Sequence, residues 1–432
     1  MFTASSPDRP SLTTVSHSSL DRRLTLPDAI TIGVGSMVGA GVFAVFAPAA
    51  RAAGGALLVG LLLAAVVAFC NATSSAQLAA VYPVAGGTYA YGRAELGPWW
   101  GFAAGWCFVI GKTASAGAMA LTFASYVTPS GWAQRALAVA AVLALAAINY
   151  RGITRTARAT RIIVTIVLVV LLVWAGTNLA AGGTLHLQAL TIENDVLGVF
   201  QAAGLLFFAF AGYARIATMG EEVVEPERNI PRAILAALVI ALAVFVMVGL
   251  TLLDRLGAEG LAASARPVFD AAQQIDPSGV LGVAVTVAAA LACLGALLNL
   301  MTGIGRTSLA MARERDLPQF LAVTHPRHKV PHRVELLLAA VVSVLVLFGG
   351  LREVISFSSF GVLLYYAVAN ASAFRQSRGR RYPRWLQALG VVLCLALVAT
   401  LTWKVLVTGL VVLALGMVGR KLLRRESEAP PA

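Results

Sequence analysis

Long apolar stretches separated by short polar, glycine-rich or proline-rich connections run through most of the chain. Stretches able to cross about 30 Å of hydrocarbon lie at 29–48, 56–80, 98–127, 133–149, 160–181, 196–218, 233–253, 279–304, 334–350, 354–374, 386–402 and 404–419. The regions 334–374 and 386–419 are each nearly continuous, and the divisions fall at GGLRE and near Thr402. The pattern predicts an all-α integral membrane protein of about twelve transmembrane helices. An even number of spans leaves both termini on one side.

Composition sharpens this picture. Of 432 residues, 59% are hydrophobic and only 12% charged, against about 25% charged in soluble domains. Short cytoplasmic loops hold the excess of Lys and Arg. Of 33 such residues, 25 fall on the N-terminal side of the predicted spans, 6 on the other, and Lys112 and Arg215 lie within spans. Both termini are therefore expected in the cytoplasm, in a cell membrane. The pI of 10.2 does not indicate nucleic acid, because the charges are dispersed over several loops and suit anionic lipid instead. Cys70, Cys107, Cys293 and Cys394 all lie in apolar spans without metal-ligand spacing and read as small packing residues. Residues 1–28 are polar and rich in Ser and Thr, without a secretory pattern. They read as a disordered cytoplasmic tail, and 420–432 as a second tail.

Span one carries TIGVGSMVGAGVFA, with glycines at 33, 35, 39 and 41. Each costs about 1 kcal/mol relative to alanine in a helix interior, so the segment is expected to unwind or thin. Freed backbone groups are tolerated in lipid only where protein or a watery cavity satisfies them. The alternative is close helix packing of the small-xxx-small type, which Gly35 and Gly39 also fit. Span six, FQAAGLLFFAFAGYARIATMGEE, is interrupted halfway by Gly212 and Arg215. Transporters built from inverted repeats place broken helices at corresponding positions of their halves. Spans one and six open two five-span sets, 29–181 and 196–374. No residue-by-residue repeat joins them, so the symmetry is positional.

GVGSMVGAGVF, FFAFAGYA running into GEEVVEPERNIPRAI, RTSLAMARERDLPQFLAVTHPRHKVP after span eight, and YPVAGGTYAYGRAELGPWWGF before span three carry a resemblance. Over about 30–375 the chain resembles the amino acid permeases of the amino acid, polyamine and organocation superfamily. That resemblance implies a ten-helix 5+5 inverted-repeat core over 29–374 with discontinuous helices one and six. It also implies two peripheral helices over 375–419 and amino acid transport by alternating access, through proton-coupled symport, exchange, or movement of a related amine. Carried over from the motifs, the substrate carboxylate is expected at Ser36, Gly39, Ala40 and Gly41, and its ammonium near the carbonyls of Met37, Phe208 and Ala211. Phe208 is the expected aromatic gate.

Lys112 sits about 14 residues, or roughly 20 Å, from either end of span three, too far to snorkel. A charge there costs about 2.5–3.5 kcal/mol and by default marks a functional site. Lys112, Ser115, Met119, Thr122 and Tyr126 form one partly polar helical face. Lys112 is a candidate for energy coupling; the alternative is structural pairing with a helix end or carbonyl. Several proton-coupled permeases that the chain resembles carry a lysine in span five, and this chain has none there. Arg215 follows the span-six break where many relatives are acidic, making it a candidate for charge selectivity. Glu221 and Glu222 read as locks against loop arginines, and His325, His328 and His332 as solvated loop residues. No span interior holds an Asp, Glu or His, which argues against an intramembrane enzyme. No Walker A stretch is present, and neither metal nor cofactor is expected. A channel or substrate sensor on the same fold is the remaining alternative; the expected partners are a small amino acid and the bilayer.

Overall fold

The computed structural model describes residues 23–84, 86–152, 157–183, 196–220, 222–328 and 330–428. Residues 1–22 of the expected tail, Arg155 and Glu221 lie outside the described residues. The helices are α1 (Leu26–Gly41), α2 (Phe46–Ala53), α3 (Leu57–Val81), α4 (Thr88–Glu95), α5 (Pro98–Val127), α6 (Trp132–Tyr150), α7 (Ala157–Ala180), α8 (Val196–Phe210), α9 (Ala214–Ala217), α10 (Pro226–Ala263), α11 (Pro267–Ile275), α12 (Val280–Arg313), α13 (His332–Phe348), α14 (Leu351–Arg375), α15 (Arg384–Ala399) and α16 (Trp403–Glu428). Among the described residues there is no strand, only an isolated bridge between Leu24 and Val223.

Nine helical runs among the described residues are long and apolar enough to cross a membrane. The difference from twelve apolar stretches lies in three short helices: α1 with 16 residues, α13 with 17 and α15 with 16. The outer surface is apolar, with Val239, Val283, Val392 and Leu415 all more than 60% exposed, while Asn71, Gln77, Ser74 and Asn370 are fully buried. Lipid contact explains the first, and hydrogen bonding the second. Ser74 donates to Asn370 Oδ1 at 2.7 Å, and Gln77 donates to Gln376 Oε1 at 2.8 Å. These bonds join α3 to α14, since a buried amide in an apolar surround needs a partner.

Span one does not unwind across its glycines. The α1 helix runs through Gly33, Gly35 and Gly39 to Gly41, and the chain leaves helical form only over 42–45. The glycines act as packing surfaces. A Cβ at Gly33 would stand 2.4 Å from Ile216 Cδ1, at Gly35 2.5 Å from Val164 Cγ2, and at Gly41 2.2 Å from Ala209 Cβ. Close approach of neighbouring helices offsets the propensity cost. Span six breaks where expected: α8 stops at Phe210, a 3-10 turn covers Ala211–Tyr213, and α9 adds one short turn.

Helix pairing follows a pattern. The α1 and α2 pair packs on α10, and α8 on α3; α5 packs on α14, and α12 on α7. The α1 helix also meets α7, α8 meets α14, α6 meets α12, and α13 meets α5.

Candidate functional site

The break in span six lies against the middle of α1. Gly212, in the 3-10 turn, approaches the main chain of α1 so closely that a Cβ there would lie 2.4 Å from Ser36 C and 2.6 Å from Met37 N. Beside this contact is a cavity of about 50 Å³ whose lining includes Ser36, Lys112, Phe208, Arg215, Thr218 and Asn299. Four of the residues expected at the site from sequence, Ser36, Phe208, Lys112 and Arg215, thus share one cavity.

The face of α5 read from sequence supplies the freed backbone groups with partners. Lys112 donates from Nζ to the Ala211 carbonyl at 2.9 Å, and Tyr126 donates from its hydroxyl to the Phe43 carbonyl at 3.5 Å. One helix therefore touches both breaks. Carbonyls at the end of α8 carry the negative end of its dipole, which favours a cation there. Lys112 is 6% exposed and Ser115, Met119, Thr122 and Tyr126 less still. Both sequence readings of Lys112 meet here, because its carbonyl partner is part of the broken helix lining the cavity. Tyr126 was legible as a member of the face but not as a partner of span one, since nothing local in the sequence pairs residues 43 and 126.

Other expected residues fall elsewhere. Gly39 lines a second cavity, of about 20 Å³, between α1, α7 and α12, together with Thr160 and Asn299. Gly41 faces Ala209, and Met37 is fully buried. Ala40 belongs to α1, and its side chain lies outside the described residues. Arg215 donates from Nη1 to the Thr218 hydroxyl at 3.3 Å. The Ser36 hydroxyl is buried without a hydrogen-bond partner among the described residues.

At the end of the bundle that holds the N-terminus, α1 and span six are tied to their neighbours. Arg161 on α7 pairs with Asp28 on α1, and Arg306 on α12 donates to Glu222 at 2.7 Å. Asp28 also accepts from the Thr25 main-chain N–H at 3.1 Å, capping α1. Leu24 donates to the Glu222 carbonyl at 3.0 Å, and its own carbonyl accepts from Val224 at 2.9 Å. The expected lock at Glu222 is present, with an arginine of α12 rather than of a loop.

The histidines differ from their sequence reading as solvated loop residues. His325, His328 and His332 are half-buried around Tyr150, with ring centroids 5.5, 6.2 and 6.1 Å from it. Aromatic stacking gathers them where no acidic partner does. Two groups were missed altogether from the sequence. Glu335, in the first turn of α13, is 3% exposed. Asp316 is buried among Arg93, Arg420 and Arg424. Among the described residues no group of His, Cys, Asp and Glu is arranged to hold a metal.

The profile of the amino acid permease family matches residues 24–421. An uncharacterized transporter of Mycobacterium tuberculosis is 51% identical over 414 residues, covering 94% of this chain and 93% of that protein. A branched-chain amino acid permease of Bacillus subtilis is 25% identical over 94% of this chain and 93% of its own length. A chloroplastic cationic amino acid transporter of Arabidopsis thaliana is 26% identical over 91% of this chain and 73% of its own. These matches, with the multi-span helical architecture, identify a membrane transporter and not an enzyme: the chain belongs to the amino acid permease family.

Proposed function

We propose that the protein is a secondary active transporter that moves an amino acid across the cell membrane by alternating access, as a proton-coupled symporter. The observation that carries this reading is the cavity between the two broken helices, lined by Ser36, Lys112, Phe208 and Arg215. The helix pairing supports a 5+5 inverted-repeat core over 29–374, with peripheral helices over 375–419. Exchanging the two five-span sets carries the α1–α10 contact onto α8–α3, α5–α14 onto α12–α7, α1–α7 onto α8–α14, and α6–α12 onto α13–α5. Such a core moves by rocking one set of helices against the other. The Asp28–Arg161 and Glu222–Arg306 pairs join α1 and span six to α7 and α12, so they must part when the cavity opens toward their side.

The charge distribution supports cytoplasmic termini. An impermeant thiol reagent added outside intact cells should leave cysteines placed at Arg327 or Arg380 unlabelled; labelling there reverses the orientation. Function is tested in proteoliposomes, where labelled amino acid uptake should saturate and require the intact chain. Current that rises without saturation favours a channel.

Lys112 is the proposed coupling group, because it joins span three to the break in span six. Removing its amine in Lys112→Met is expected to flatten the dependence of uptake rate on external pH. A variant that keeps the wild-type rate and pH profile leaves Lys112 with a structural part only.

A further inference from the structure

We infer that the Lys112 ammonium stands in for the substrate's α-ammonium at the Ala211 carbonyl, so that the cavity selects a ligand by its anionic groups: an acidic amino acid whose amine is not read at that carbonyl. This rests on the reading of the protein as an amino acid carrier. Three observations carry it.

The carbonyl at the end of α8 is already taken. Lys112 Nζ lies 2.9 Å from it, in a charge-assisted bond reinforced by the dipole of α8. A substrate ammonium at the same oxygen would either face Lys112 at contact distance or have to displace it. Displacement leads nowhere favourable, because no carboxylate lines the cavity among the described residues. Glu222 is held by Arg306.

The remaining polar lining consists largely of donors or of groups able to donate. Arg215 contributes a second cation, whose side-chain hydrogen-bond partner among the described residues is the Thr218 hydroxyl. The Ser36 hydroxyl, contributed by α1, is buried and has no hydrogen-bond partner among the described residues. Asn299 supplies an amide from α12. A free hydroxyl and two cations lining one cavity suit a carboxylate, which can accept from all three.

Charge balance points the same way. Buried Lys112 and half-buried Arg215, with no carboxylate among the described residues lining the cavity, leave that lining net positive, and a ligand of net charge −1 offsets more of this than a zwitterion. A cationic amino acid adds a third positive charge.

The test is equilibrium binding to the purified full-length protein in nanodiscs, using L-glutamate, glutarate, L-leucine and L-arginine as probes. Glutarate is glutamate without its amine. It should bind within about threefold of glutamate, with leucine at least about tenfold weaker and arginine weaker still. In Lys112→Met the freed carbonyl takes the substrate amine. Glutamate should then bind at least about tenfold more tightly than glutarate, and leucine should gain. Wild-type protein that binds glutarate tenfold or more weakly than glutamate reads the amine and overturns the inference, as does leucine or arginine binding as tightly as glutamate. Both results leave the carrier reading intact. Binding and uptake of no amino acid at all removes that reading, and this inference with it.

Discussion

Asp316→Asn is expected to lower the thermal stability of the detergent-solubilised protein by more than any other single charge removal in the chain. The Asp316 carboxylate is 1% exposed. It accepts from Arg420 Nε at 2.7 Å, Tyr89 at 2.8 Å, Arg93 at 2.9 Å and Arg424 at 3.2 Å. Arg420 is itself fully buried, its guanidinium 4.3 Å from the Trp99 ring centroid and 5.1 Å from that of Phe102. Two of its nitrogens have no hydrogen-bond partner among the described residues, where Asp316 and the aromatic faces are what hold that charge out of water. An amide keeps the shape and removes the charge. Breaking a buried pair from one side costs about 3–5 kcal/mol, because the other charge stays behind. Adding Arg420→Met should recover part of the loss, since it removes the stranded cation and leaves an apolar side chain against Trp99. A single variant that melts with the wild type would show that water reaches the cluster. The consequence is architectural: Asp316 follows α12, Arg93 is on α4 and Arg420 on α16, so one carboxylate ties the last helix to the core.

That cluster shows where reading the sequence stops. Arg420 and Arg424 were legible only as two of many positive charges near a terminus, because the rule that places such charges in the cytoplasm says nothing of their partners. Asp316 was one residue of a matched motif with no feature of its own. The helices themselves were legible, since hydropathy and length are local. The face of α5 was legible for the same reason: Lys112, Ser115, Met119, Thr122 and Tyr126 recur at helical spacing, and all are buried. What that face bonds to was not, because Ala211 and Phe43 are 99 and 83 residues away from their partners.

Span one illustrates a different limit. Four glycines were read either as a weakened helix, which propensity alone supports, or as a close-packing face of the small-xxx-small type. In the bundle the same residues let α7, α8 and α9 come close, so the helix continues to Gly41 and the break falls among Val42, Phe43, Ala44 and Val45. Composition locates a special segment; the contacts decide which property of glycine is in use. In span six the glycine does mark the break: Gly212 lies in the 3-10 turn, against the main chain of α1.

Gly212→Ala should therefore abolish uptake, although it adds a single methyl group. The new Cβ would lie 2.4 Å from Ser36 C, 2.5 Å from Ser36 O and 2.6 Å from Met37 N. Backbone atoms of a packed helix cannot rotate away, so α1 and the 3-10 turn must separate. Overpacking of this kind costs about 1–3 kcal/mol, which a packed bundle can survive. The geometry between Ser36, Ala211 and Lys112 cannot, because it depends on that approach. Melting temperature should fall modestly while the transport rate per reconstituted molecule falls to background. Gly35→Ala supplies the contrast. Its Cβ would meet Val164 Cγ2 at 2.5 Å, with the next neighbours at 3.9 and 4.0 Å, and the close contact is a side-chain methyl that a second substitution removes. Gly35→Ala with Val164→Ala should recover any uptake lost in Gly35→Ala alone. Gly212→Ala has no such partner, since its neighbours are main chain. Wild-type uptake by Gly212→Ala would mean that the 3-10 turn separates from α1 during transport anyway, and that the contact between Gly212 and α1 belongs to one state of the cycle alone.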